Sequence, residues 1–173
     1  MILIDSVYRK GSMRKTLETI SLADLALQAA ITFSVLYGPG RLPNRIPTHF
    51  DMAGHPNGWG SPSMLLLLLL VAGILYLLMT TVARYPSVFN YPVRVTAENR
   101  PRLEELALGM IAWLKAEMLC LFAWIQWVTI QSARHPQQGI PGASAPVFIA
   151  VIFVTVGWFI VAMFRAGQAT PGA

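Results

Sequence analysis

Apolar positions in this chain fall in long runs rather than in strict alternation. Four stretches stand out, Ile20–Tyr37, Met64–Ala83, Leu106–Ile130 and Pro146–Phe164. Each is close to the ~20 helical residues needed to cross a hydrocarbon layer about 30 Å thick. The pattern predicts an all-α membrane protein, a four-helix transmembrane bundle forming one domain over residues 20–165. A basic arm at residues 1–19 precedes it and a short tail at 166–173 follows.

The flanks support these limits. Tyr37-Gly38-Pro39 stops the first run, and no small-x-small cleavage site follows it, so the first span reads as an uncleaved anchor. Met13, followed by Arg14-Lys15, is a second candidate start. Span 2 opens after Ser61-Pro62-Ser63. Thr96 is a good N-cap ahead of span 3, and Glu98, Glu104 and Glu105 suit a helix N-terminus. Helix 3 should therefore begin in water before entering lipid. Pro146 suits the first turn of span 4.

Charge sharpens the picture. Of 13 Lys and Arg and 8 Asp and Glu, only Asp24, Lys115 and Glu117 lie inside the four runs. Charged residues make up 12% of the chain and mean hydropathy is +0.54, against roughly 25% charged in soluble domains. Nine basic residues (Arg9, Lys10, Arg14, Lys15, Arg84, Arg94, Arg100, Arg102 and Arg165) fall on the side of the N-terminus, and three (Arg41, Arg45 and Arg134) on the other. The bias puts both termini in the cytoplasm and the first loop outside. The same charges explain the net +5 without nucleic acid; their partner is a bilayer with an anionic inner leaflet. Cys120 is the single cysteine, so no disulfide framework or thiolate metal cluster is expected.

The outer loop, Arg41–Ser63, is long for a mere connection. Pro43 and Pro47 push their preceding residues towards extended geometry. Asp51-Met52-Ala53-Gly54 fits a type I turn, and Asn57-Gly58 marks a second tight turn. Phe50 and Trp59 supply apolar mass to seat the loop on the helix ends. His49, Asp51 and His55 offer an H-x-D-x3-H set for a transition metal, but that spacing has no specific mechanism. The favoured reading is backbone hydrogen bonding, with Asp51 capping its turn; no metal or other cofactor is expected. A pH-sensing histidine pair is a further option.

Leu42-Pro43-x-x-Ile46-Pro47-Thr48-His49-Phe50, followed by Gly54 and Gly58-Trp59-Gly60, resembles the bacterial "domain of unknown function 1648" family. Phe89-Asn90-Tyr91-Pro92-Val93 with Thr96-x-Glu98-Asn99 is similar to the segment before the next span in that family. The two blocks and their spans cover roughly residues 22–130. His55 stands where variable polar residues are expected, and Ser61-Pro62 where a lysine is common. The resemblance implies a bacterial integral membrane protein with no established chemistry. The domain also occurs in immunity proteins against the sporulation-delaying toxin; those are longer and have more spans, so immunity itself carries over only weakly.

Charges within spans mark functional candidates. Lys115 and Glu117 are two residues apart, about 200° around a helix, and face opposite ways. Lys115 is expected to snorkel to the inner interface, with Asp24 as its partner otherwise. Glu117 shares a face with Trp113, Trp124 and Trp127, and Gln28 and Thr32 of span 1 are its expected partners. No nucleophile–base pair, phosphate loop or zinc-protease motif supports an enzyme. The sequence points to a multi-pass protein of the bacterial cytoplasmic membrane whose outer loop recognises a ligand, peptide or protein in sensing, immunity or assembly. The alternative is a small transporter or proton-linked membrane enzyme using Glu117 and Asp24. Oligomeric state is left open.

Overall fold

A computed structural model describes residues 2–51, 53–136 and 144–168. Met1 and most of the expected tail, from residue 169 on, lie outside the described residues, as do the side chains of Arg9 and Lys10. The chain forms α1 (Ile2–Tyr37), β1 (Ile46–Phe50), β2 (Pro56–Gly60), α2 (Met64–Val82), a 3-10 turn (Pro86–Val88), α3 (Arg100–Arg134) and α4 (Ser144–Gln168). Four segments, Gly11–Tyr37, Met64–Val82, Arg100–Arg134 and Pro146–Gln168, are long and apolar enough to cross a membrane. This is a multi-pass membrane protein. In hydrocarbon every backbone N–H and C=O must be satisfied within its own segment, which selects helices for these runs.

Side-chain exposure agrees with lipid as the solvent. On α2 only Leu65 and Ala72 are buried, while Leu67, Leu70, Ile74, Leu77 and Leu78 face outward. Val147, Ile149 and Phe153 do the same on α4. Contiguous apolar surface of this extent is foreign to a soluble monomer. At 19 residues α2 spans about 28 Å, whereas the 35 residues of α3 reach about 52 Å. Helix 3 therefore extends beyond the hydrocarbon, in keeping with Arg100, Arg102, Glu104 and Glu105 near its start.

Helix 3 is the central element. It packs against α1, α2, α4 and β1, and α1 also packs against α2. Its start is held by a reciprocal pair: the Thr96 hydroxyl accepts the Asn99 N–H at 3.3 Å, and Asn99 Oδ1 accepts the Thr96 N–H at 2.8 Å. That is the geometry of a capping box with Asn in the acidic position. The Arg100 N–H already reaches the Thr96 carbonyl at 3.1 Å, so Thr96 caps the turn that leads into α3. Asn99, 5% exposed, also donates to the Arg94 carbonyl at 3.0 Å.

The chain is not purely helical. The expected outer loop is a two-stranded antiparallel hairpin pairing Ile46 with Gly60, Pro47 with Trp59, His49 with Gly58 and Phe50 with Pro56. The Asp51–Gly54 turn forms as expected, with the Gly54 N–H on the Asp51 carbonyl at 3.0 Å. Gly54 has φ 85°, a left-handed conformation that suits glycine. Asn57-Gly58 makes no turn; both residues lie in β2. Gly58 serves close approach instead, because a Cβ there would sit 2.8 Å from His49 Cβ, and one at Gly60 would sit 2.9 Å from Thr48 Cγ2.

Two apolar clusters fix the ends of the assembly. At one end Ile46, fully buried, meets Val35 of α1, Leu42, Leu65 of α2, and Ile130 and Ala133 of α3. At the other, Leu103, Leu106 and Ala107 of α3 meet Phe159 and Met163 of α4, with Phe89, Tyr91, Val93 and Val95 laid over them. Replacing Gly54 by Ala forces a side chain into the left-handed region and should cost about 1 kcal/mol. A small fall in the thermal midpoint of the purified protein would register it. Ile46→Asp should be far more damaging, because it places a charge in the first cluster.

Candidate functional site

Two regions gather the chemistry, the hairpin and a set of polar side chains between helices. In the hairpin, Ile46 and Pro47 are buried against the helix ends, while Thr48, His49, Asn57 and Trp59 face outward. The anchor is thus Ile46 with Leu42 and Pro47, not the Phe50 and Trp59 expected from the sequence. Phe50 is half-buried, and Trp59 is 45% exposed. Pro43 is exposed on the approach to β1.

The three metal candidates are employed otherwise. Asp51 Oδ1 accepts the backbone N–H of His55 at 2.8 Å and of Ala53 at 2.9 Å. The His55 N–H, with that of Ala53, holds the Asp51 carboxyl below its ordinary value near 3.8. His49 Nδ1 is hydrogen-bonded to Asn57 Oδ1 across the strands. The His55 ring lies 3.7 Å from Asp51 as an exposed pair. Among the described residues no three His, Cys, Asp or Glu side chains are placed to hold a metal ion.

Residues 27–75 match the family model described as "Domain of unknown function (DUF1648)". This segment is a domain of unknown function 1648. Comparison with curated proteins and with solved structures returns no match. The 1648 domain runs from Leu27 in α1 through the hairpin to Leu75 in α2, so the hairpin sits at its middle. Asn90, Tyr91, Pro92 and Asn99 lie outside the matched segment. Asn99 organises the turn into α3, Tyr91 donates to the Pro86 carbonyl at 3.1 Å, and Asn90 and Pro92 are exposed.

Between helices, Lys115 does not snorkel. It is 3% exposed and forms an ion pair with Glu18 of α1. Its ammonium also donates to Thr80 Oγ1 at 2.9 Å and lies 4.8 Å from the centre of the Tyr76 ring, both on α2. The Tyr76 hydroxyl donates to Glu18 at 2.6 Å. One cation therefore joins α1, α2 and α3. The expected partner, Asp24, accepts instead from Gln28 Nε2 at 2.8 Å. By charge pattern Glu18 belongs with the basic N-terminal arm, but α1 is continuous through it and carries it to the level of Lys115.

A second set links α1 to α3. Gln28 donates to the Leu119 carbonyl at 3.2 Å, and Gln126 donates to the Gln28 carbonyl at 2.8 Å and to Thr32 Oγ1 at 2.6 Å. Gln126 was not anticipated, although amide side chains in a span are expected to seek partners on a neighbouring helix. Glu117 faces α4 rather than Gln28 and Thr32: Thr155 donates to Glu117 Oε1 at 2.5 Å. Glu117 Oε2 and Ser21 Oγ are buried with no hydrogen-bond partner among the described residues.

Removing Lys115 takes away the cation that joins the three helices and leaves Glu18, which is partly exposed, with the Tyr76 hydroxyl. Lys115→Ala should lower stability by about 1–2 kcal/mol, less than for a fully buried pair. The double variant Glu18→Gln/Lys115→Met should recover much of that loss, read as thermal midpoints in one detergent. Acid acts on the hairpin through Asp51. Its carboxyl is depressed in the folded state, so its contribution is complete above the ordinary value of 3.8 and fades as pH falls through the lower folded value. Trp59 emission should therefore shift as pH falls below 3.8. Asp51→Asn, which keeps an acceptor but cannot titrate, should flatten that acid response.

Proposed function

We propose that this is a multi-pass protein of the bacterial cytoplasmic membrane that recognises a peptide or protein partner through its hairpin, which stands outside the cell with both termini inside. Orientation rests on the nine-to-three partition of Lys and Arg across the spans. Recognition rests on one observation above all. The hairpin is fastened by an apolar inner face and turns Thr48, His49, Asn57 and Trp59 to the outside. A rigid element that exposes a large aromatic beside hydrogen-bonding groups has the make-up of a binding hot spot.

The transport reading is favoured by the unpartnered oxygen of Glu117. It is weakened by the placement of Asp24, which faces α3 through Gln28 while Glu117 faces α4 through Thr155. No hydrogen bond among the described residues connects the two carboxyls.

Photo-cross-linking in intact cells separates the readings. A photoreactive amino acid at Asn57 should give a discrete adduct that the same group at lipid-facing Leu77 does not. Trp59→Ala should weaken the adduct by about tenfold or more, the scale of an aromatic anchor worth about 2 kcal/mol. Glu117→Gln should leave it intact. Equal labelling at Asn57 and Leu77, or dependence on Glu117, would overturn the proposal.

A further inference from the structure

Helices 1, 3 and 4 do not close on one another along their whole length. They leave a cleft of about 560 Å³ walled by Leu106, Gly109 and Trp113 of α3 and by Val151, Trp158 and Phe159 of α4. Gly109 shapes it, since a Cβ at that position would stand 3.1 Å from Phe159 Cε1. Phe159 lies flush against α3 as a result, with the Trp158 ring set edge-on to it at 4.7 Å. The walls are largely apolar, suited to an acyl chain rather than to a bulky polar molecule.

The polar groups of the cleft are unevenly placed. Arg14 of α1 and Arg102 and Glu105 near the start of α3 line it. Beyond Arg102 it continues into an open groove of about 860 Å³ that adds Glu98, Asn99 and Arg165. Arg102 is bonded to Glu105 at 3.0 Å. No ion pair involves Arg14 or Arg165 among the described residues. The charge at this end is three arginines against two glutamates, a net cationic rim beside an apolar slot. Glu117, bonded to Thr155 of α4, lies fifteen residues further along α3, about 22 Å from the level of Arg102.

We infer that this cleft is a binding site for an anionic phospholipid, with its phosphate held by Arg14 and Arg102 and one acyl chain lying along Trp113 and Trp158. Charge complementarity selects the occupant. Arginine forks bind phosphate oxygens well, and a zwitterionic head group would bring a second cation to a rim already in cationic excess. The site is distinct from the hairpin, at the opposite end of α3, and its occupancy does not depend on what the hairpin recognises.

The test uses the full chain in nanodiscs of phosphatidylcholine carrying a trace of photoactivatable phospholipid with the reactive group on the acyl chain. Phosphatidylglycerol and phosphatidylcholine probes are compared, and labelled peptides are mapped. The phosphatidylglycerol probe should label the segments around Trp113 and Trp158 at least several-fold more than the phosphatidylcholine probe. Arg14→Gln/Arg102→Gln should remove that preference, and Arg14→Lys/Arg102→Lys, which keeps the charge, should retain most of it. Val154→Trp, placed to fill the slot, should reduce labelling of these segments. Equal labelling by both probes, a preference unaffected by the Gln pair, or labelling confined to α2 and to Val147, Ile149 and Phe153 of α4 would each overturn the inference.

Discussion

Hydrocarbon supplies no hydrogen bonds, so a polar side chain within a span must find its partner inside the protein, most often on another helix. That constraint accounts for the way this chain is assembled. Lys115 reaches α1 through Glu18 and α2 through Thr80 and the Tyr76 ring, while Gln126 and Gln28 stitch α1 to α3 a few turns further on. Glu117 ties α3 to α4 through Thr155. Each contact runs to or from α3, which is why α2 and α4 can leave nearly all of their apolar surface to lipid.

Once α1, α2 and α3 are fixed to one another, their ends define a socket. Val35, Leu65, Ile130 and Ala133 enclose Ile46, and the hairpin of the 1648 domain inherits its position from that contact. The link between sequence and surface is short: Pro47 and Ile46 face the socket, and the extended backbone then turns Thr48, His49 and Trp59 away from it. At the far end of α3 the same logic leaves an opening. Asn99 and Thr96 set where the helix begins, Gly109 admits Phe159, and the remaining space between α1, α3 and α4 is lined by tryptophan and rimmed by arginine.

The spans were legible because charge is nearly absent from four runs of the right length, a signal set by composition alone. The turn at Asp51–Gly54 and the Thr96 cap were legible because single side chains determine them locally. The hairpin was not. Ile46–Phe50 contains Pro47, Pro56–Gly60 has no β-branched residue, and the Gly58 that seemed to mark a turn is there to admit His49 across the sheet. Side-chain partners between helices were the least legible. Asp24 and Gln28 looked right for Lys115 and Glu117 by depth. Rotation about the helix axis decides such pairs, and it turned Lys115 to Glu18 and Glu117 to α4.

In the proposed topology the chain passes through lipid four times, with the hairpin on one side and the basic segment around Arg94 on the other. Single-cysteine accessibility addresses it directly, because Cys120 is the only cysteine to remove. In a Cys120→Ser background, His49→Cys should react with a membrane-impermeant maleimide in intact cells, and Arg94→Cys should react only after permeabilisation. Labelling of both from the same side, or of Arg94→Cys alone in intact cells, would contradict the account.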